Sequence, residues 1–137
     1  MIVLDSSFLI AYHNWRDAHH DAAVPIMHAL KEKVWGQTLL LEYVFLEVVT
    51  VVLGRRNLAA ASRVVSTLLG ARELNFVPCS DFLLETVETF CGQGTSKISF
   101  ADAAVVTVAR QHNAPGATSD QGFLALDQVD VIPESAL

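Results

Sequence analysis

The stretch that decides the fold is MIVLDSSFLI, Met1 to Ile10, at the start of the chain. Three apolar, strand-favouring residues follow one another without polar alternation, as in a strand covered on both faces, and the run stops at Asp5. In an open parallel α/β sheet, ligands bind beyond the carboxyl ends of the strands. The sequence therefore predicts a buried first strand whose terminal carboxylate faces a functional crevice.

The composition is that of one compact domain. The 137 residues are 52% hydrophobic, which suits a single domain over residues 1–137 with a sizeable core. No apolar run approaches the roughly 18 residues that a membrane span requires. The first apolar run has no basic residues ahead of it and is cut by Asp5, so we expect no signal peptide and a cytoplasmic location.

The charge balance narrows the function classes. Nine basic residues against fifteen acidic ones give a net charge of −6, which argues against holding nucleic acid by bulk charge alone. A nuclease remains compatible with this charge, because acids gathered in one site are offset by bound divalent cations. The two cysteines, Cys79 and Cys91, are too few for a disulfide framework and match no zinc spacing.

Short apolar runs alternate with amphipathic stretches along the rest of the chain. Besides the first strand, the pattern predicts strands at 34–37, 74–77, 117–119 and 129–132, and helices at 6–12, 17–33, 39–53, 58–69, 81–90 and 100–113. The helix at 39–53 is apolar nearly all round, so we expect it to be central. This alternation predicts a parallel sheet with right-handed crossovers.

Two acids close predicted strands in the same way. Asp5 follows the first strand, and Asp120 follows the strand at 117–119. Each has a plain structural interpretation, Asp5 as a helix N-cap and Asp120 as part of an Asx turn. Their shared position at strand exits also predicts that they converge at one edge of the sheet.

Two further acids lie on predicted helices. Glu47 falls on an otherwise apolar stripe, where an unpaired carboxylate costs several kcal/mol unless it meets a cation, a metal or a proton. Asp102 leads the apolar face of its helix, although the capping-box spacing from Ser99 also explains it. Glu42, in the first turn of the same helix as Glu47, is explained by the helix dipole and stays a second candidate.

Carboxylates gathered in one place favour a particular chemistry. They repel one another and titrate upward unless divalent cations are present. Oxygen-rich sites suit Mg²⁺ or Mn²⁺, which activate water and hold a phosphodiester for in-line attack. If the four acids meet, the sequence predicts metal-dependent cleavage of phosphodiester bonds.

The chain resembles the PIN-domain family, in particular its VapC-like toxin ribonucleases. The resemblance covers nearly the whole chain and rests on the segments IVLDSSFLIAY, WRDAHHDAA, LLLEYVFLEVVTVVLGRR, KISFADAAVVTVAR and GATSDQGFLAL. It implies a three-layer α/β/α sandwich with a central, mainly parallel sheet, and Mg²⁺- or Mn²⁺-dependent endoribonuclease activity. It also implies an antitoxin that blocks the pocket and a homodimer in which apolar helices pair.

The resemblance assigns roles to particular residues. By this resemblance, one or two metals are held directly or through water by four catalytic acids, Asp5, Glu47, Asp102 and Asp120. Three hydroxyl residues are candidates to orient those carboxylates or a phosphate, although caps and turns also explain them: Ser6, Thr118 and Ser119. Three arginines are candidate RNA contacts, although solvated helix ends explain them more simply: Arg55, Arg56 and Arg110.

Other functions remain open from the sequence. One is a PIN-domain nuclease in RNA processing that has no antitoxin, and another is a non-catalytic module whose acidic pocket takes an arginine from a partner chain. Phosphoryl transfer of the receiver or haloacid-dehalogenase kind is disfavoured. Two serines follow Asp5, whereas a dehalogenase phosphatase carries a second aspartate two residues after the first.

Overall fold

The computed structural model describes residues 1–95 and 97–119. The elements in this part of the chain are, in order, β1 (Ile2–Leu4), α1 (Ser6–His13), α2 (His20–Lys31), β2 (Thr38–Leu41), α3 (Glu42–Arg55), α4 (Leu58–Gly70), β3 (Leu74–Val77), a 3₁₀ helix (Cys79–Phe82), α5 (Leu83–Cys91), α6 (Phe100–His112) and β4 (Gly116–Ala117). None of these helices is long and apolar enough to cross a membrane.

All four strands are parallel, in the order β3-β2-β1-β4. Strand β1 lies between its two neighbours, with Val3 opposite Leu39 of β2 and opposite Gly116 of β4. Both β1 and β2 are buried along their whole length, as an unalternated apolar run requires. The predicted parallel α/β/α architecture is confirmed, and Asp5 leaves the middle of the sheet at its carboxyl edge.

The second strand lies later in the chain than predicted. Residues 34–36 form a turn and a bend, and residue 37 belongs to no element, with Lys33 and Gly36 in the left-handed region at φ 57° and 78°, so the strand prediction there is wrong. The strand is Thr38–Leu41, and it passes directly into α3 with no side chain capping the helix. Because the run from Leu39 is apolar across this junction, periodicity alone could not divide strand from helix.

The most buried helix is α6 rather than α3. Residues 101–109 of α6 are all buried, whereas α3 buries Val44, Val48 and Val52 and exposes Leu46 and Leu53. The expectation that the helix after β2 is the central one is therefore wrong. The burial of α6 places its first turn, which carries Asp102, against the carboxyl end of the sheet.

Two further elements differ in extent from their sequence predictions. The predicted helix at 81–90 is a 3₁₀ helix followed by α5, and the predicted strand at 117–119 is the shorter β4. The last predicted strand, 129–132, lies outside the described residues.

Candidate metal and nuclease site

Asp5 is a fully buried carboxylate at the junction of β1 and α1. Its backbone N–H donates to the carbonyl of Ala117 in β4 at 3.0 Å. Its Oδ2 accepts hydrogen bonds from the hydroxyls of Ser7, at 2.5 Å, and Thr118, at 2.6 Å. Its Oδ1 is buried and has no hydrogen-bond donor among the residues described. One oxygen of this carboxylate is thus fixed by the protein, and the other is left for a ligand.

Asp102 brings a second carboxyl group to the same place. Its side chain lies within hydrogen-bonding reach of the Asp5 carboxyl, and the residue is only 8% exposed. It also completes a capping box: Ser99 N–H donates to Asp102 Oδ2 at 3.2 Å, and Asp102 N–H donates to Ser99 Oγ at 3.1 Å. The capping role and the site role of Asp102 therefore coexist.

The surroundings of Asp5 disfavour its charged form. Burial raises the pKa of the Asp5 carboxyl from its ordinary value of 3.8, and hydrogen bonds with Ser7, Thr118, the Ser6 backbone and the Asp102 side chain offset only part of this rise. The charge of a buried carboxylate is relieved by a proton or by a cation. This electrostatic strain is what a divalent-cation site has before the cation binds.

Glu47 is linked to this corner through a serine. The hydroxyl of Ser6, the residue after Asp5, donates to Glu47 Oε2 at 2.6 Å. Ser6 is buried and Glu47 is half-buried, in the second turn of α3. The carboxylate predicted on an apolar stripe therefore has a neutral hydrogen-bond partner and no cation among the described residues.

Glu42 has a separate structural partner. The backbone N–H of Cys79 donates to Glu42 Oε2 at 2.6 Å. Hydrogen bonds from the Cys79 thiol and from this N–H lower the pKa of Glu42. Five residues along a helix turn the side chain by about 140°, so Glu42 and Glu47 point to different sides of α3. Glu42 holds the start of α3 to the segment after β3.

Ser7 is the site residue that sequence reasoning missed. Its hydroxyl donates to Asp5 and accepts from the backbone N–H of Ser119 at 2.9 Å, and its oxygen lies 3.0 Å from that of Thr118. The available signal was its position in the first turn after Asp5, which suggested only a helix cap. Of the predicted positioning residues, Ser6 contacts Glu47 and Thr118 contacts Asp5, whereas Ser119 takes part through its backbone.

Removing the Ser7 hydroxyl should loosen the site without unfolding the protein. We expect Ser7→Ala to weaken Mn²⁺ binding about 10- to 100-fold, the usual effect of losing a group that orients a metal ligand. Isothermal titration with Mn²⁺ measures this affinity, and Ser62→Ala on the exposed face of α4 is the matched control. Equal Mn²⁺ affinity in the two variants would show that Ser7 does not position Asp5.

The remaining predicted residues lie elsewhere or beyond the described chain. Arg55 and Arg56 are exposed at the end of α3, and Arg110 is exposed in the last turn of α6. Within the described residues, none of these three arginines forms a hydrogen bond or an ion pair with the Asp5 carboxylate. Asp120, the fourth predicted acid, lies outside the residues described.

The donor set fits a small hard cation. Within residues 1–95 and 97–119, no three His, Cys, Asp or Glu side chains form a closed metal-binding group. Mg²⁺ does not need one, because it usually binds through one or two carboxylates and keeps several waters. The unpartnered Oδ1 of Asp5 beside the Asp102 carboxyl supplies such a pair of oxygen donors.

Known proteins with this fold include bacterial toxins. The structure of VapC20 from Mycobacterium tuberculosis, described as a sarcin-ricin loop cleaving toxin, superposes with a TM-score of 0.78 at 23% identity, covering 97% of this chain and 100% of that one. FitAcB from Neisseria gonorrhoeae gives 0.64 at 20% identity with full coverage of both chains. A toxin-antitoxin complex from Klebsiella pneumoniae gives 0.65 at 16% identity, covering 98% of each chain.

The family assignment comes from the sequence itself. No curated protein matches the chain. The family model described as PIN domain matches residues 2–129, which is nearly the entire sequence. The matched range includes the buried β1 and the residues that carry the Asp5 and Asp102 carboxyls. This chain belongs to the PIN-domain family.

Proposed function

We propose that this protein is a metal-dependent endoribonuclease that hydrolyses RNA phosphodiester bonds, and that it is the toxin of a type II toxin-antitoxin pair. The observation that carries the proposal is the buried Asp5, with one oxygen fixed by two hydroxyls and the other unpartnered beside Asp102. The PIN-domain match and the toxin structures that share the fold support it. We take residues 1–137 as one domain that acts in the cytoplasm.

Each residue has a defined task in this proposal. Asp5 and Asp102 would hold Mg²⁺ or Mn²⁺, with Glu47 and Asp120 contributing directly or through water. The cation, when bound, supplies activation of a water and neutralisation of charge on the phosphodiester. Ser6 holds the Glu47 carboxylate in place, and Thr118 does the same for Asp5.

The test is cleavage of RNA with and without divalent cations. We expect cleavage of a single-stranded RNA in Mg²⁺ or Mn²⁺, loss of cleavage in EDTA, and at least a 100-fold lower rate for Asp102→Asn. The asparagine oxygen can still accept the Ser99 N–H, so the helix cap is kept while the charge is lost. Asp21→Asn, which changes an exposed acid in the first turn of α2, is the control and should cleave normally.

Three other outcomes would point to a different function. Cleavage that persists in EDTA or in Asp102→Asn would contradict the metal-centred proposal. Divalent-cation binding without any cleavage would favour the non-catalytic acidic pocket. If co-expression of the product of a neighbouring gene does not inhibit cleavage, a PIN-domain nuclease in RNA processing would be favoured.

An antitoxin is the proposed protein partner. Solved complexes that share this fold include a toxin-antitoxin complex and VapBC2 from Rickettsia felis. A buried carboxyl pair with an unpartnered oxygen is a suitable receptor for a guanidinium group, which binds carboxylates with two parallel hydrogen bonds. Such an arginine would occupy the position of the cation and inhibit the enzyme.

A homodimer is proposed through α5. This helix exposes apolar side chains at Leu83, Leu84, Val87 and Phe90, of which Leu84 is 74% exposed. Together these four side chains form a row of exposed apolar residues on one short helix. A patch of this kind on a small protein marks an interaction surface.

Charging this face should separate the subunits. We expect light scattering to give twice the 14.9 kDa chain mass for the wild type and a single chain mass for Leu84→Lys. Leu69→Lys, an exposed leucine on α4, is the control and should remain dimeric. A dimeric Leu84→Lys protein would exclude α5 as the interface.

A further inference from the structure

A pocket lined by three arginines lies at the far ends of α1 and α3 from Asp5. It has a volume of about 240 Å³. Apart from its polar residues the lining is aliphatic, with no Asp or Glu, and those polar residues are Arg55, Arg56, Arg63, His13, Asn14 and Thr67. A pocket of this size and lining suits one anionic group rather than a drug-sized molecule.

The pocket is basic, whereas the protein as a whole is acidic. The chain carries fifteen acidic and only nine basic residues, yet three of its six arginines line this one pocket. No carboxylate in the described part of the chain forms an ion pair with them. The negative end of the α3 dipole favours Arg55 at the end of that helix, and Arg63 is a solvent-exposed residue of α4 whose position brings it to the same pocket.

His13 adds a hydrogen-bonding atom without adding a charge. Its Nε2 is buried and has no hydrogen-bond partner among the described residues. Burial lowers the pKa of His13 from its ordinary value of 6.5, so the ring is neutral at pH 7. A neutral ring carries one N–H donor, so His13, as a residue of the pocket lining, is a candidate donor to a bound anion.

The pocket lies about one helix length from the proposed active site. Helices α1 and α3 lie side by side, joined by the hydrogen bond from Ser6 in the first turn of α1 to Glu47 in the second turn of α3. From Ser6 to His13 and from Glu47 to Arg55 the helices rise by about 11–12 Å. Successive nucleotides of a stacked strand rise by about 3.4 Å along its axis, and their phosphates are farther apart than that, so a strand covering this distance spans at most about three nucleotides.

An exposed aromatic residue follows Asn14 of the pocket lining in the sequence. Trp15 is 67% exposed, and the guanidinium of Arg16 lies 4.9 Å from its ring centroid. The adjacent Asn14, which lines the pocket, accepts a hydrogen bond from the Arg16 backbone N–H at 3.2 Å. Basic grooves with an exposed aromatic ring bind single-stranded nucleic acid by combining phosphate contacts with base stacking.

We infer that this arginine pocket binds a backbone phosphate of single-stranded RNA within about three nucleotides of the bond that is cut. The inference rests on the proposed ribonuclease function and names a second contact point for its substrate. Trp15 and the short distance from Asp5 along α1 and α3 favour RNA over the other anionic occupant, an acidic segment of a partner protein.

The test compares RNA binding by two double variants with equal charge change. Arg56→Gln/Arg63→Gln removes two pocket arginines but keeps Arg55 at the helix end. The control, Arg72→Gln/Lys97→Gln, removes two exposed basic groups outside the pocket. Fluorescence anisotropy with a labelled ten-nucleotide RNA in metal-free buffer, over a range of salt concentrations, measures affinity without cleavage.

We expect the pocket variant to bind this RNA at least 10-fold more weakly than the control variant. Its plot of log affinity against log salt should be shallower by about 0.7 for each phosphate that the protein no longer neutralises. In cleavage assays its KM should rise with kcat unchanged on the ten-nucleotide RNA, while a dinucleotide too short to reach the pocket is cleaved at the control rate.

Two results would overturn the inference while leaving the ribonuclease proposal intact. One is equal RNA affinity and equal salt slope in the two double variants. The other is an unchanged RNA affinity together with loss of binding to an acidic peptide, which would identify the pocket as a protein-docking site. Absence of divalent-dependent cleavage by the wild type would instead overturn the ribonuclease proposal, and the anisotropy result would still decide whether the pocket binds RNA.

Discussion

An Asp5→Asn variant is expected to lose RNA cleavage by at least 100-fold and, in metal-free buffer at neutral pH, to melt at a higher temperature than the wild type. The substitution keeps the shape of the side chain. Its amide oxygen can accept from Ser7 and Thr118, and its amide N–H₂ can donate to Asp102. The variant therefore removes a charge that burial disfavours and keeps the hydrogen bonds around it.

The gain in stability should be measurable by calorimetry. About 1 kcal/mol shifts the melting temperature of a domain of this size by roughly 3–5 °C. A saturating amount of Mn²⁺ should reverse the order, because a ligand at 100 times its Kd stabilises the wild type by about 2.7 kcal/mol and has no complete site in the variant. Wild-type cleavage by Asp5→Asn, or a lower melting temperature without metal, would contradict this account of the site.

The pH dependence has a definite sign. Because the pKa of Asp5 is raised in the folded state, its contribution to stability is fully present below the unfolded value near 3.8 and is lost as pH rises through the folded pKa. The difference in melting temperature between Asp5→Asn and wild type should thus be smallest near pH 3.5 and reach its full size above the folded pKa. This difference in melting temperature reflects the titration of Asp5 and Asp102 as a pair, because the two carboxyls lie within hydrogen-bonding reach of each other.

The sequence was most informative where one pattern served both fold and function. The unalternated run Ile2 to Leu4 predicted a buried parallel strand, and its end predicted the position of Asp5. The capping-box spacing at Ser99 predicted the start of α6, and the apolar face that Asp102 leads predicted its contact with the core. Both features are local, so they could be deduced from neighbouring residues.

Features that depend on tertiary packing were harder to predict. The junction between β2 and α3 lies inside one apolar run, and the two elements differ only in which neighbours cover them. The role of Ser7 depends on the approach of Thr118 and Ser119, which are more than a hundred residues away. Such long-range hydrogen bonds leave no spacing in the sequence, and the same holds for the convergence of arginines from α3 and α4 on one pocket.

Phe8→Ala is the substitution expected to cost the most stability. Phe8 is fully buried and is the largest such side chain in the described residues. Replacing a buried phenylalanine by alanine typically costs about 3–5 kcal/mol, a large part of the roughly 5–15 kcal/mol that stabilises a domain. We expect the melting temperature to fall by about 10–25 °C. Leu69→Ala, at a leucine that is 61% exposed, is the matched control and should change stability by less than about 0.5 kcal/mol.

The same variant tests how the apolar core supports the site. Ser6 and Ser7 occupy the first turn of α1, and Phe8 follows them as the anchor of that helix in the core. If the anchor only stabilises the fold, Phe8→Ala should cleave RNA below its melting temperature and should gain stability from Mn²⁺ as the wild type does. A Phe8→Ala protein that melts like Leu69→Ala would show that α1 is not anchored in this way. A folded Phe8→Ala protein that no longer responds to Mn²⁺ would show that core packing at Phe8 also sets the positions of the hydroxyls around Asp5 and Glu47.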